Sequence, residues 1–163
     1  MMKKSVKLLL GLLFVVGVTC FSANAQTALE KKALYSALSV GNESALDKQM
    51  SVIKQLKGKQ AEAFEGALLM RKSALLKVPV QKLNMFKQGA KLLEASINRE
   101  PQNAEFRFLR LMIQENAPKV VGYNKNITED VSAVKNNYRS LPAETQQAIV
   151  AYSKSSKSLK GLK

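Results

Sequence analysis

From Leu29 to Tyr152 an apolar side chain returns every third or fourth position, and proline or glycine interrupts the rhythm at short intervals. A spacing of that kind belongs to a helix that buries one stripe and wets the other. The chain must therefore fold as short amphipathic helices that cover one another. Strand signals are missing, with no sustained alternation and no Asn-Gly or Asp-Gly hairpin turn. The expectation is an all-α body of stacked antiparallel helical hairpins, about seven helices in the mature chain.

The interruptions place the helix ends. Leu29, Ala33, Leu34, Ala37 and Leu38 form a first stripe closed by Gly41, a residue able to take the left-handed conformation. Asn42 or Ser44 can start the next helix, lined by Leu46, Met50 and Ile53 and ended by Gly58. A run from Lys59 to Lys77 follows. Pro79 breaks it by forcing Val78 out of helical geometry, and suits the first turn of a helix striped by Leu83, Phe86, Ala90, Leu93 and Ile97. In "LLEASINREPQNAEFRFLRL" the period halts at Pro101 and restarts at Phe106, so two helices must fold back on each other. Asn116-Ala117-Pro118 ends that second helix, and "KVVGYNKN" is a longer connection. Thr128 is the expected N-cap of a helix with Val131, Val134 and Tyr138, and a last helix carries Ala148, Ile149 and Tyr152.

Gly89, Leu93, Ser96 and Pro101 follow one another at the spacing that closes the second half of a tetratricopeptide repeat, which this stretch resembles. Small residues there let paired helices approach, the large one fills the groove, and proline halts the helix. The first half departs, because its aromatic, Leu-Gly and Tyr positions fall on Ser73, Leu76-Lys77 and Val80, of which only Leu76 fits. The resemblance covers roughly 35 residues. It implies a groove that receives a peptide or partner protein. In its lysine-rich, exported character the chain also resembles small exported proteins of Bacteroidota.

The start of the chain reads as an export signal. Lys3, Lys4 and Lys7 precede an apolar run of 11 residues, Leu8 to Val18. As a helix that run spans about 16 Å against roughly 30 Å of hydrocarbon, too short for an anchor. Ala23-Asn24-Ala25 supplies a signal-peptidase site, so 1–25 is the expected signal peptide and the mature chain is periplasmic or secreted. Lipidation at Cys20 is the competing reading, but Gly17-Val18-Thr19 departs from a lipobox. Residues 26–152 are expected to form a single helical domain without cysteine or a transmembrane segment, held by burial alone.

The leader contains three of the 26 basic residues and none of the 12 acidic ones, leaving 23 against 12. The excess is spread along the chain except at its end. There 153–163 is expected to be a basic flexible tail that offers Lys154, Lys157, Lys160 and Lys163 to an anionic surface such as lipopolysaccharide or phospholipid. Arginine is scarce and tryptophan absent, so nucleic acid is not expected as a partner.

No histidine occurs anywhere, and the only cysteine lies in the leader. Ser-His-Asp and Cys-His catalysis and zinc sites of the His/Cys type are therefore excluded for the mature chain. Ser51-x-x-Lys54 and Ser132-x-x-Lys135 match a Ser-Lys signature, but the abundance of both residues gives about 1.6 matches by chance. No enzyme activity, metal or cofactor is expected. Glu129-Asp130 reads as a pair serving a helix dipole. The expected binding residues are Arg107 and Arg110, three apart on one helical face, with Tyr123, Asn124 and Asn126 on the connecting loop. For the two arginines, pairing with Glu105 or other acids is the structural alternative, and for the loop it is Val120, Val121 and Tyr123 sealing the core edge.

Overall fold

The computed structural model describes residues 30–56 and 58–161, so the expected leader, its cleavage site and Cys20 lie outside the described residues. Among those described are seven α-helices, two short 3-10 turns and no strand: α1 over 30–40, α2 (Glu43–Ile53), α3 (Lys59–Ser73), α4 (Pro79–Arg99), α5 (Ala104–Asn116), α6 (Ile127–Asn137) and α7 (Ala143–Ser153). The 3-10 turns are Lys119–Val121 and Tyr138–Ser140.

Local chemistry accounts for most boundaries. Gly41 ends α1 at φ +71°, and the Asn42 side chain caps α2 by accepting from the Ala45 amide at 2.8 Å. Val78 is extended and Pro79 opens α4. After Pro101, Asn103 accepts from the amides of Glu105 and Phe106 and so restarts the helix as α5. Three expected ends move. Helix α2 stops at Ile53, and Gly58, at φ +111°, stands at the start of α3 instead of the end of α2. Helix α3 ends at Ser73, short of Lys77. Helix α6 begins after Asn126, not Thr128, because the Gln114 carboxamide oxygen in α5 holds the Asn126 amide at 2.9 Å.

Cross-helix contacts fix the directions. Tyr35 of α1 meets Phe64 of α3 and Phe108 of α5, and Arg71 near the end of α3 donates to the Leu38 carbonyl near the end of α1 at 2.8 Å. Thr145 at the start of α7 donates to Glu105 at the start of α5, while Tyr152 near its end donates to Glu115 near the end of α5. Helices α1, α3, α5 and α7 therefore run parallel and finish at one end of the body, called the distal end below. Helices α2, α4 and α6 return, with Lys72 paired to Asp47 and Arg110 to Glu94 across antiparallel neighbours.

The tightest crossing is α3 on α4. A Cβ on Gly89 would lie 2.5 Å from the Gly66 carbonyl oxygen and 2.9 Å from the Met70 amide nitrogen. Both are backbone atoms that cannot give way, so only glycine allows this approach. Leu93 and Ser96 are fully buried one and two turns further along.

The centre is α5. Every residue from Ala104 to Gln114 is buried, including Glu105, Arg107, Arg110 and Gln114. Phe106, Phe108, Leu109 and Leu111 join Leu34, Leu46, Leu68, Leu93, Val134 and Ile149 in one core. A helix covered on all sides is surrounded by neighbours on every face.

The expected free tail is corrected as far as residue 161. Leu159 is wholly buried and Ser156 nearly so. Glu115 accepts from the Ser156 hydroxyl (3.0 Å) and from the Ser158 amide and hydroxyl (2.9 and 2.6 Å). One buried leucine and one carboxylate pin the segment to the end of α5.

Candidate functional site

The two arginines singled out from sequence lie inside the protein, which overturns their expected place in a binding groove. Asp130, fully buried on α6, accepts from Arg110 Nε at 2.8 Å and Nη2 at 2.7 Å, from Arg107 Nη1 at 3.2 Å and from Gln114 Nε2 at 2.6 Å. Arg110 also pairs with Glu94 on α4 at 2.8 Å, and Arg107 with the exposed Glu129 at 2.9 Å. Burial pulls on the Arg110 proton, but Asp130 and Glu94 outweigh it and hold the guanidinium more firmly charged than usual. Glu129 is held below the usual carboxylate range by the Asn126 amide and by Arg107.

Glu105 is not the arginines' partner. Its carboxylate accepts from Lys31 (3.0 Å to both oxygens), Tyr35 (2.8 Å), Gln60 (2.7 Å) and Thr145 (2.6 Å). The first turns of α1, α3 and α7 thus converge on one anion, where helix N-termini favour negative charge. Burial, followed by the Glu105 charge, pushes the Tyr35 phenol up. Among the described residues no buried side-chain nitrogen or oxygen lacks a hydrogen-bond partner. This machinery is fully occupied with itself.

The loop residues divide. Tyr123 stacks edge-on against Phe86 at 5.4 Å and its hydroxyl donates to Glu94, so it seals α4, and burial with Glu94 raises its phenol well above the ordinary value. Asn126 is tied to Gln114 and Glu129. Asn124 is exposed. Val120 does not seal the core, for it is 94% exposed. Lys154, Lys157 and Lys160 are exposed on the pinned segment, while Lys163 lies outside the described residues.

Accessible concave surface occurs elsewhere. Helices α1 and α7 both lie on α5, and small side chains facing each other leave a groove of about 380 Å³ between them. Met112 and Tyr35 form its floor and Ala148 and Ala151 one wall. Lys32 and Ser36 stand on the α1 rim, Glu144 and Gln147 on the α7 rim. A smaller pocket of about 120 Å³ shares Ser39 and Met112 with it and is bounded by Arg71, Asn116 and Tyr152. The volume lies within the range of binding clefts, about 300–1,000 Å³, and the lining is an apolar floor with a few polar rims. Sequence reasoning missed this site because alanine and serine on two helices far apart in the chain read as ordinary helix surface. No cluster of three acidic, histidine or cysteine side chains that could hold a metal occurs among the described residues.

Fold and groove together define an all-helical hairpin body with a charged central helix and an open cleft between α1 and α7. No protein-family model, curated protein or solved structure matches the chain. The tetratricopeptide resemblance at Gly89, Leu93, Ser96 and Pro101 therefore rests on those residues alone.

Proposed function

We propose that this chain is an exported, non-catalytic scaffold of the cell envelope that receives a segment of a protein partner between α1 and α7. The observation that carries the reading is the groove itself: an apolar floor flanked by Lys32 on one rim and Glu144 on the other. Such a slot accepts a peptide or helix whose apolar side chains meet Met112, Ala148 and Ala151, while opposite charges on the rims set its direction. The buried ion pairs supply rigidity to the walls and take no part in contact.

The test is photo-cross-linking in the native envelope fraction, with the reactive group placed at Ala151 and, as a control, at Lys135 on α6. One partner captured at a fixed ratio from Ala151 and not from Lys135, and lost when Ala148→Arg fills the groove, is the expected result. Equal capture from both positions, or capture indifferent to Ala148→Arg, refutes the reading.

A further inference from the structure

Six of the seven large apolar side chains exposed among the described residues lie at the distal end. Val40 (63% exposed) closes the last turn of α1, and Leu75 and Val78 occupy the turn from α3 to α4. Val80 (67%) and Leu83 begin α4, and Val120 (94%) projects from the connection after α5. Only Leu56, after α2, belongs to the opposite end. The Phe86–Tyr123 ring contact brings the α5–α6 connection alongside the first turns of α4. Single exposed hydrophobics are ordinary on any protein, but their concentration on the connections at one end is not.

The same connections are free of acid. From Gly66 to Leu93 there is no Asp or Glu, against Arg71, Lys72, Lys77, Lys82, Lys87 and Lys91. From Asn116 to Thr128 only Lys119 and Lys125 are charged, and beyond Glu144 the chain carries lysine alone. Because Glu115 pins the last segment to the end of α5, Lys154, Lys157 and Lys160 are presented at this end as well. The acids that do reach it are Glu43 and Asp47 on α2, the latter paired with Lys72, Glu115 beneath the pinned segment, and Glu129 and Asp130 in the first turn of α6, both paired with Arg107.

We infer that the distal end is a contact for an anionic lipid surface. Val78, Val80, Leu83 and Val120 enter the boundary between headgroups and acyl chains, and the surrounding lysines face lipid phosphates. Apolar tips ringed by lysine suit that boundary, where apolar burial and attraction to anionic headgroups act together. A second copy of the chain is the poorer occupant. Two such ends would bring like charge against like. This contact is independent of the groove, and it moves the expected anionic contact from a loose tail to a fixed end of the fold.

The chain contains no tryptophan, so Val120→Trp introduces a single indole reporter at a fully accessible position. The protein over 26–163 is used, since the described core lies between Leu34 and Leu159. With phosphatidylglycerol vesicles the indole emission should shift to the blue, and with phosphatidylcholine alone it should not. Adding Val80→Asp and Leu83→Asp should weaken partitioning about tenfold or more, while Ala148→Arg leaves it unchanged. An anionic-vesicle pellet with no emission shift would place the contact elsewhere and overturn the inference. So would unchanged partitioning of the aspartate variant, or no binding to anionic vesicles at all.

Discussion

Asp130 and Glu129 are neighbours in sequence and both face Arg107, yet they should respond very differently to loss of charge. Asp130 is fully buried and accepts four hydrogen bonds from Arg107, Arg110 and Gln114. Asp130→Asn keeps the shape, removes the anion and turns an amide donor toward guanidinium donors. Arg110 then retains Glu94 as its only ion-pair partner while remaining almost wholly buried. Breaking a buried pair from one side costs about 3–5 kcal/mol, which in a domain of this size lowers Tm by roughly 10–15 °C. Glu129 is more than half exposed, and Glu129→Gln should cost no more than about 1 kcal/mol. Urea denaturation followed by far-ultraviolet circular dichroism, with the slope checked for constancy, measures both. A triple change, Arg107→Met, Arg110→Met and Asp130→Leu, should recover part of the loss, because the buried guanidinium charges are gone, while half-buried Glu94 and the Gln114 amide lose a partner. If Asp130→Asn costs as little as Glu129→Gln, the account of α5 as a helix held by interior charge pairs fails.

Other perturbations probe separate parts of the fold. Gly89→Ala should destabilise by about 1–3 kcal/mol through overpacking against Gly66, although alanine is favoured over glycine in a helix by about 1 kcal/mol; a stabilised variant in thermal melts would contradict the close crossing. At Glu115 burial raises the carboxyl, but hydrogen bonds from Ser158, Tyr152 and Ser156 outweigh it and the net shift is downward. The stabilising contribution is therefore present above the ordinary carboxylate range and is lost as pH falls through the lowered value. Hydrogen exchange at the Leu159 amide should accelerate in that acid window, and at neutral pH Glu115→Gln should speed tryptic cleavage after Lys157; unchanged cleavage would show that Leu159 alone holds the segment. Burial together with Glu105, Glu94 and Glu115 respectively raises the phenols of Tyr35, Tyr123 and Tyr152. A raised value means stability that is complete below about pH 10 and declines above it, so these three rings should ionise together with loss of helix. Smooth ionisation in a fully helical protein, seen by ultraviolet titration, would refute their burial.

What sequence alone made legible follows from which signals are local. Gly41, Pro79 and Pro101 act on the chain within a turn of themselves, and the breaks they predict are present. Thr128 was outbid for the start of α6 by Gln114, which lies in another helix. For Arg107 and Arg110 the structural alternative, pairing with acids other than Glu105, is the one that holds, but the particular partners were hidden. Arg107 and Arg110 three residues apart resemble a polar face, and nothing nearby reveals that Asp130 will be folded onto them. Glu105 finds its donors at Lys31, Tyr35, Gln60 and Thr145, on three helices drawn from both sides of it in the chain. The groove was equally hidden, since it consists of space left between two helices and not of any conspicuous residue. In the final segment Leu159 offered a faint apolar cue among lysines, but Glu115, its companion anchor, is distant in sequence.

The convergence on Glu105 has a consequence for assembly during synthesis. A carboxylate on the central axle needs hydroxyl, amide and ammonium donors that are made long before it and, in Thr145, well after it. Until the last helix arrives, α5 has an anion with an incomplete set of ligands and a flank open to water. Early compaction around this helix is therefore provisional, and the chain can lock into register only when its final fifth has been delivered.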